Sequence, residues 1–312
     1  MESVGKRCGR CHRKKYQARG FQGETTPGPC KQSPMDAPTP IFEKRYNKQS
    51  QPSIGERIGT GYKIQNRTGI IKMKSLTTDS FFNGCIQVKQ NRSGYRFSID
   101  AVLLAWHADP NPNDTILDLG AGCGIIPMIL AYRNTEVKIY GIEVQTELAD
   151  IANLNITENG MEDRITILCR DMKTLKHEDT SGPVDLAVSN PPFRKSKSGR
   201  INPNQQRAIA RHEIKTTLYD VVETARRMLK TSGRFVMVYP AGRMTDILTQ
   251  MRASGIEPKS IRMVHSGKNT EAKMILVEGK KGGRSGLKIG SPLIIYQENG
   301  SYSDEVEKIF KP

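Results

Sequence analysis

Residues 190–193 read Asn-Pro-Pro-Phe and close an apolar run from Val184 to Val188. Two consecutive prolines cannot donate to a sheet ladder, and they hold the chain extended. They would fix the side-chain oxygen of Asn190 and the carbonyl of Pro191 with no competing N–H beside them. Phe193 adds a flat face on which a planar group can stack. This set suits a reaction at an amino group conjugated to a ring or a carbonyl. The lone pair of such a nitrogen is delocalised, so it is a poor nucleophile. Two acceptors on its N–H bonds would pull it towards tetrahedral geometry and free the lone pair. Asn190, Pro191 and Phe193 are therefore candidate catalytic residues, and Pro192 and Phe193 candidate contacts to the planar group.

Three further strand-like runs end on groups of the same kind. TILDL leads through Asp118 into Gly120-x-Gly122-x-Gly124, VKIYGIE ends on Glu143, and RITILCRD ends on Asp171. Glycines at that spacing permit tight turns and close backbone approach to a ligand. Glu143 lies about 20 residues beyond them, where nucleotide-binding folds often place a ribose ligand. These features alone leave a dinucleotide-dependent dehydrogenase open, although nothing in the sequence accounts for hydride chemistry.

The elements that must carry these groups alternate. Helical patterns over 97–108, 125–133, 146–158, 216–229 and 242–254 are interleaved with strands ending at the positions above and with strands at RFVMVYP, 258–264 and AKMILVEG. The apolar face of the first helix falls on Ile99, Val102, Leu103 and Trp106, and Asp109-Pro110 stops it. Ser232-Gly233 is the expected stop of the fourth. Alternation of this kind predicts an α/β fold with a mostly parallel seven-stranded sheet flanked by helices. Ligands of such sheets bind beyond the carboxyl ends of the strands, where all four candidate groups fall.

Taken together, the glycine loop with Asp118, Glu143, Asp171 and NPPF resembles the Rossmann-like S-adenosylmethionine-dependent amino-methyltransferases. The flanking segments LTTDSFFNG, GYRFSIDAVLLA, RAIARHE and PLIIYQENGSYSDEV make the resemblance narrower. From about residue 73 to the end, the chain is similar to the bacterial tRNA(Val) adenine-N6 methyltransferase family. That resemblance implies S-adenosylmethionine as cofactor and the exocyclic N6 of the adenine 3′ of a tRNA anticodon as target. It also implies that Asp118, Gly120, Gly122 and Gly124 surround the methionine part of the cofactor. Glu143 takes the ribose hydroxyls and Asp171 the adenine amino group, and Asn190 borders both ligands. Arg96 and Asp100 close the methionine side. The fourth motif residue is Phe193 where the family often has Tyr, which keeps the stacking face and loses a hydroxyl.

A run of cations follows the motif: Arg194, Lys195, Lys197 and Arg200, with no acid between them, then Arg207, Arg211 and His212. A basic flap beside the pocket would hold phosphates of a strand whose base is extruded, so these are candidate substrate contacts. The formal charge of +16 is uneven: residues 1–75 hold 16 Lys/Arg against 5 Asp/Glu, and the remainder 32 against 27. Residues 1–72 read as a disordered basic extension, with Met73 a candidate natural start, and 73–312 as the methyltransferase domain with a small amino-terminal subregion, 73–112. CGRCH at 8–12 has haem-attachment spacing, but neither an export signal nor a second metal-ligand pair accompanies it. No apolar run long enough for a membrane span occurs, so a cytoplasmic protein without a required metal is expected, its six cysteines reduced. Methylation of rRNA, DNA or a protein glutamine amide, and RNA binding without catalysis, are the alternatives.

Overall fold

The computed structural model describes residues 76–92, 96–191 and 216–311. The expected amino-terminal extension, with CGRCH, lies outside them. The described chain opens with an antiparallel hairpin of β1 (Leu76–Phe81) and β2 (Ile86–Asn91). Its turn carries Phe82 at φ 51, a conformation rare for a bulky side chain. Packing compensates: Phe82 is buried, and its ring stacks on Tyr132 at 5.0 Å.

Helix α1 (Ile99–Ala108) differs from its expected single apolar face. Ile99, Ala101 to Ala105 and Ala108 are all buried, because the helix lies between α2 (Ile125–Arg133) and the sheet. Trp106 sits at the rim instead, with the Arg133 guanidinium 4.1 Å over its ring. Asp109 ends the helix in the left-handed region at φ 35, and Pro110 follows.

The main sheet is built from β3 (Thr115–Leu119), β4 (Lys138–Glu143), β5 (Ile165–Cys169), β6 (Val184–Ser189), β7 (Leu229–Pro240), β8 (Ile256–His265), β9 (Ala272–Lys281), β10 (Lys288–Ile289) and β11 (Leu293–Ile294). It has nine strands in the order β5-β4-β3-β6-β7-β9-β8-β10, with β11 also on β8. The last two have two residues each, leaving the seven longer strands expected. Only the two pairings made by β9 are antiparallel. The chain starts at β3, runs out to β5 and returns to β6, so the strand order reverses between β3 and β6. That reversal opens a crevice at the carboxyl edge of the sheet.

Helices α3 (Thr146–Glu158), α4 (Leu218–Met228), α5 (Met244–Ala253) and α6 (Asp304–Phe310) complete the described elements. A reciprocal cap between Thr217 and Asp220 starts α4. Its buried stripe of Val221, Val222, Ala225 and Met228 joins α5 over a sheet face lined by Leu117, Leu119, Tyr140 and Ile142. Ser232-Gly233 does not stop this helix. It ends at Met228, and Leu229 turns directly into β7 because its buried side chain and its pairing with Val184 belong to the sheet. Ser232, at φ 66, bends the strand instead. Among the described residues no helix is long and apolar enough to cross a membrane.

Candidate active site

Sheet register brings the strand ends together. Asp118 lies opposite Val188, Leu119 opposite Ile142, and Glu143 opposite Cys169. Counting on by one or two residues puts Asn190, Gly120 and Glu143 side by side along the carboxyl edge, with Asp171 just above. Ser189, fully buried, fastens the β6 end to the β3 end by donating from Oγ to the Leu119 carbonyl at 2.8 Å. Asn190 and Pro191 therefore leave the sheet beside the glycine loop, both partly exposed to the crevice.

The loop needs its glycines. Gly120, Gly122 and Gly124 have φ of 92, 59 and 85, a region L side chains avoid. The N–H groups of Gly120 and Ala121 both donate to the Ile142 carbonyl at 2.9 Å, folding the loop back over β4. Gly141, a position the sequence reading passed over, makes this possible. A Cβ there would come within 3.0 Å of the Ala121 Cβ and 2.5 Å of Ile167 Cδ1. The loop then feeds α2, whose amino-terminal N–H groups face the crevice and favour a carboxylate.

Two acids lie under this loop. Glu143 is almost wholly buried; its Oε2 accepts the Gly122 N–H at 3.0 Å and its Oε1 the Gln145 N–H at 2.9 Å. Oε1 also accepts a long bond from the Gln145 Nε2 at 3.4 Å. Oε2 therefore keeps a lone pair for one hydroxyl of a diol, and Oε1 can take the other where that long bond gives way. Asp118 is fully buried, and neither of its carboxylate oxygens has a hydrogen-bond partner among the described residues. Burial, and secondarily the nearby Glu143, push its pKa up to about 8. A buried acceptor with nothing to accept is costly, and a ligand cation is what would satisfy it. Asp171 is more open: its Oδ1 accepts the Lys173 N–H at 3.0 Å, capping a single 3-10 turn, Met172–Thr174. Cys123, in the loop itself, is buried with its thiol pushed up to about 12, so it packs rather than attacks.

The hairpin covers the loop through groups that spacing did not flag. Asn155 on α3 is fully buried; its Oδ1 accepts the Lys89 N–H at 2.7 Å, and its Nδ2 donates to the carbonyls of Lys89 at 3.0 Å and Cys123 at 2.9 Å. One turn on, Asn159 holds the N–H and carbonyl of Gln87 at 2.9 and 2.8 Å. The two amides thus close the free edge of β2 and join it to the glycine loop. A polar residue within the apolar stripe Leu148, Ile151, Ala152, Ile156 was the available signal. Arg96 pairs with Asp79 at 2.6 Å and donates to Thr77 Oγ1, while Asp79 also accepts from Gln90. Gln90 in turn accepts the Phe97 N–H at 3.0 Å. Arg96 thus anchors the segment leading into α1 against the hairpin, and Asp100 lies in the first turn of that helix. Pro192, Phe193, Arg194, Lys195, Lys197, Arg200, Arg207, Arg211 and His212 lie outside the described residues.

Residues 93–251 match the family described as Methyltransferase small domain. A tRNA1(Val) (adenine(37)-N6)-methyltransferase of Porphyromonas gingivalis is 30% identical over 245 residues, covering 76% of this chain and 95% of the relative. The chain belongs to this methyltransferase family. The enzyme of the same description from Pedobacter heparinus is 26% identical over 72% of this chain and 93% of its own. That from Aeromonas hydrophila is 25% identical over 72% and 92%. Among solved structures, a predicted O-methyltransferase of Agrobacterium tumefaciens superposes with a TM-score of 0.55 at 21% identity, covering 67% of this chain and 94% of that one. The likeness to that structure is one of fold. Among the described residues no group of three or more His, Cys, Asp or Glu is placed to hold a metal ion.

Proposed function

We propose that the protein transfers a methyl group from S-adenosylmethionine to the exocyclic N6 of adenine in tRNA, at the nucleotide 3′ of the anticodon. The observation that carries this reading is the shared edge: a buried, unpartnered Asp118 beneath the glycine loop, one strand from Asn190-Pro191. The donor set fits the cofactor part by part. Asp118 would meet its ammonium, the amino terminus of α2 its carboxylate, Glu143 its ribose diol and Asp171 its adenine amino group. When bound, the cofactor supplies an electrophilic methyl on a sulfonium whose positive charge disappears in the transfer.

The chain's own part in the chemistry is geometric. The Asn190 Oδ1 and the Pro191 carbonyl accept the two N6 hydrogens, turning the nitrogen lone pair out of conjugation and towards the donor. Fixed acceptors of this kind act where the nitrogen becomes positive during transfer. The methylated nitrogen is then a strong acid and its surplus proton passes to water, since neither amide oxygen is basic enough to keep it, so no strong general base is needed. Phe193 would support the base from one face, and the cations from Arg194 to Arg211 would hold the flanking phosphates. A tRNA substrate supports a cytoplasmic place of work.

The test is nucleoside mapping of tRNA from cells with and without the gene, together with transfer assays on purified protein. Loss of one N6-methyladenosine beside an anticodon, restored by the wild-type chain, is expected. Asn190→Ala should lower turnover by about 100-fold or more while cofactor affinity changes little, the scale of losing one preorganised acceptor. Wild-type turnover in that variant would remove the mechanism.

A further inference from the structure

From the last two residues of β9 to β11 the chain reads Lys280-Lys281-Gly282-Gly283-Arg284-Ser285-Gly286-Leu287-Lys288-Ile289-Gly290, and residues 279–297 hold four cations and no acid. This segment is not a loose loop. Lys288 and Ile289 pair with Ser260 and Ile261 of β8 as β10, and the Gly290 N–H donates to the Ile261 carbonyl at 2.8 Å. Lys259 Nζ reaches the Arg284 carbonyl at 3.0 Å, and Arg262 Nε the Ser291 carbonyl at 2.9 Å. Left-handed backbone at Gly282 (φ 64) and Gly286 (φ 128) makes the turns. The backbone is thus strapped along the sheet edge by its own hydrogen bonds.

The side chains are not used up by this strapping. Lys280, Arg284 and Lys288 are exposed, and none of them forms an ion pair among the described residues. The acids nearby are engaged elsewhere, Glu257 with Arg252 at 3.2 Å and Glu305 with Arg262 at 2.6 Å. Leu287 and Ile289 are 43% and 70% exposed, two of the three large apolar side chains so exposed among the described residues. Ile289 follows Lys288 on β10, so the apolar group and the cation face opposite ways.

Register relates the strap to the active site. Lys288 lies opposite Ser260, Ser260 opposite Glu278, Glu278 opposite Val236, and Val236 opposite Val188. Val188 is two residues short of Asn190. Lys288 is therefore two residues below the level of Asn190 and four strand spacings to the side, about 19 Å at ~4.8 Å per spacing. Lys280, opposite Arg234 and through it Leu186, lies two residues lower, and the strap's first turn at Gly282 bonds to Gly255 at the start of β8. Both are too far to touch the target base and near enough to meet the same RNA.

We propose that the Lys280–Ile289 strap is an RNA-docking surface that holds phosphates of the base-paired stem next to the target nucleotide, outside the base pocket. This rests on the reading of the site as a tRNA methyltransferase. The row of cations without acids selects a polyanion and disfavours a second copy of the chain, which would set like charges face to face. A cation at about 19 Å, Lys288, with Lys280 and Arg284 further down the sheet edge, also gives the enzyme a way to measure a folded stem rather than a free loop strand.

The experiment compares full-length wild-type protein with the triple variant Lys280→Ala/Arg284→Ala/Lys288→Ala, titrating a transcribed tRNA and a single-stranded heptanucleotide of its anticodon loop over a range of salt. Three lost phosphate contacts should weaken tRNA binding at least tenfold. They should also flatten the slope of log affinity against log salt by about 2 to 3. Heptanucleotide binding and cofactor affinity should stay unchanged, and Arg284→Lys/Lys288→Arg should restore tRNA affinity. Equal tRNA affinity and equal salt slope in the triple variant, with wild-type methylation of tRNA intact, would overturn the strap alone. Failure of the wild-type chain to bind and methylate tRNA would overturn both the strap and the reading of the site. A parallel loss of heptanucleotide binding would show a fold defect or a pocket effect and also count against the strap.

Discussion

Asp118 carries an unusual burden for one side chain. It is fully buried, close to Glu143, and has no hydrogen-bond partner among the described residues for either oxygen. Its pKa stands at about 8 against an ordinary 3.8, so between those values the folded chain holds a proton that the unfolded chain has lost. The stability it contributes is therefore full below about pH 4 and is lost as pH rises through about 8. A cationic ammonium beside it would favour the charged form, so cofactor binding below pH 8 releases a proton. Asp118→Asn should flatten the decline of melting temperature with pH in ligand-free protein and weaken cofactor binding by about 10- to 100-fold, the worth of one charge-assisted hydrogen bond. Thermal melts across pH and calorimetric titration read the two effects. An unchanged pH slope would mean that another group takes up the proton. The sequence offered this residue as a candidate ligand, since an acid before glycines at a strand end has few other uses. It could not show that the acid is left unpartnered, because that depends on what β4 and the loop place around it.

At the scale of elements, the strands and helices with strong alternation fell where their patterns put them, and α3 runs over the expected residues 146–158. The misreadings share a cause. Ser232-Gly233 has turn chemistry, yet it sits in a strand because the neighbouring β6 captured Leu229 first. Trp106 looks like core and instead supports Arg133, because α1 is enclosed by small and branched residues that leave its ring no room inside. The hairpin escaped detection as a unit because its outer edge is completed by Asn155 and Asn159 from a helix far away in sequence. Asn155 is the joint between hairpin and glycine loop, so it should behave as a positioning residue. Asn155→Leu strands the Lys89 N–H and two carbonyls, and should cost about 2–4 kcal/mol of stability. The KM for S-adenosylmethionine should rise at least tenfold while the KM for tRNA holds, and Asn155→Gln should not rescue it, because the longer amide cannot reach all three groups at once. Equal rises in both KM values would reduce Asn155 to a general stabiliser.

Across the whole molecule, the two ends of the described chain meet in a line of rings. Tyr296 stacks on Tyr302 at 5.4 Å, Tyr302 on Phe310 at 5.4 Å, Phe310 on Phe81 at 6.4 Å, and Phe81 packs against Phe97 at 5.3 Å. Ser303 caps α6 while its hydroxyl donates to the Ile294 carbonyl at 2.6 Å, so the helix that carries Phe310 is tied to the far edge of the sheet. Burial raises the Tyr302 phenol well above its ordinary range, so it stays neutral throughout physiological pH. The hairpin is thus held from two sides, by asparagines from α3 and by aromatic rings from the carboxyl-terminal segment. Phe97 begins the stretch that leads to Asp100 in the first turn of α1, so the ring line lies one step from the residue proposed to close the methionine side. Phe310→Ala should cost about 2 kcal/mol, less than a fully buried Phe because the residue is partly exposed. It should loosen the hairpin before the sheet. Hydrogen exchange would show this as faster exchange across β1 and β2, with β3, β6 and β7 protected as in the wild type. Uniformly faster exchange across the central sheet would mean that the ring line supports the core as a whole and has no special hold on the hairpin.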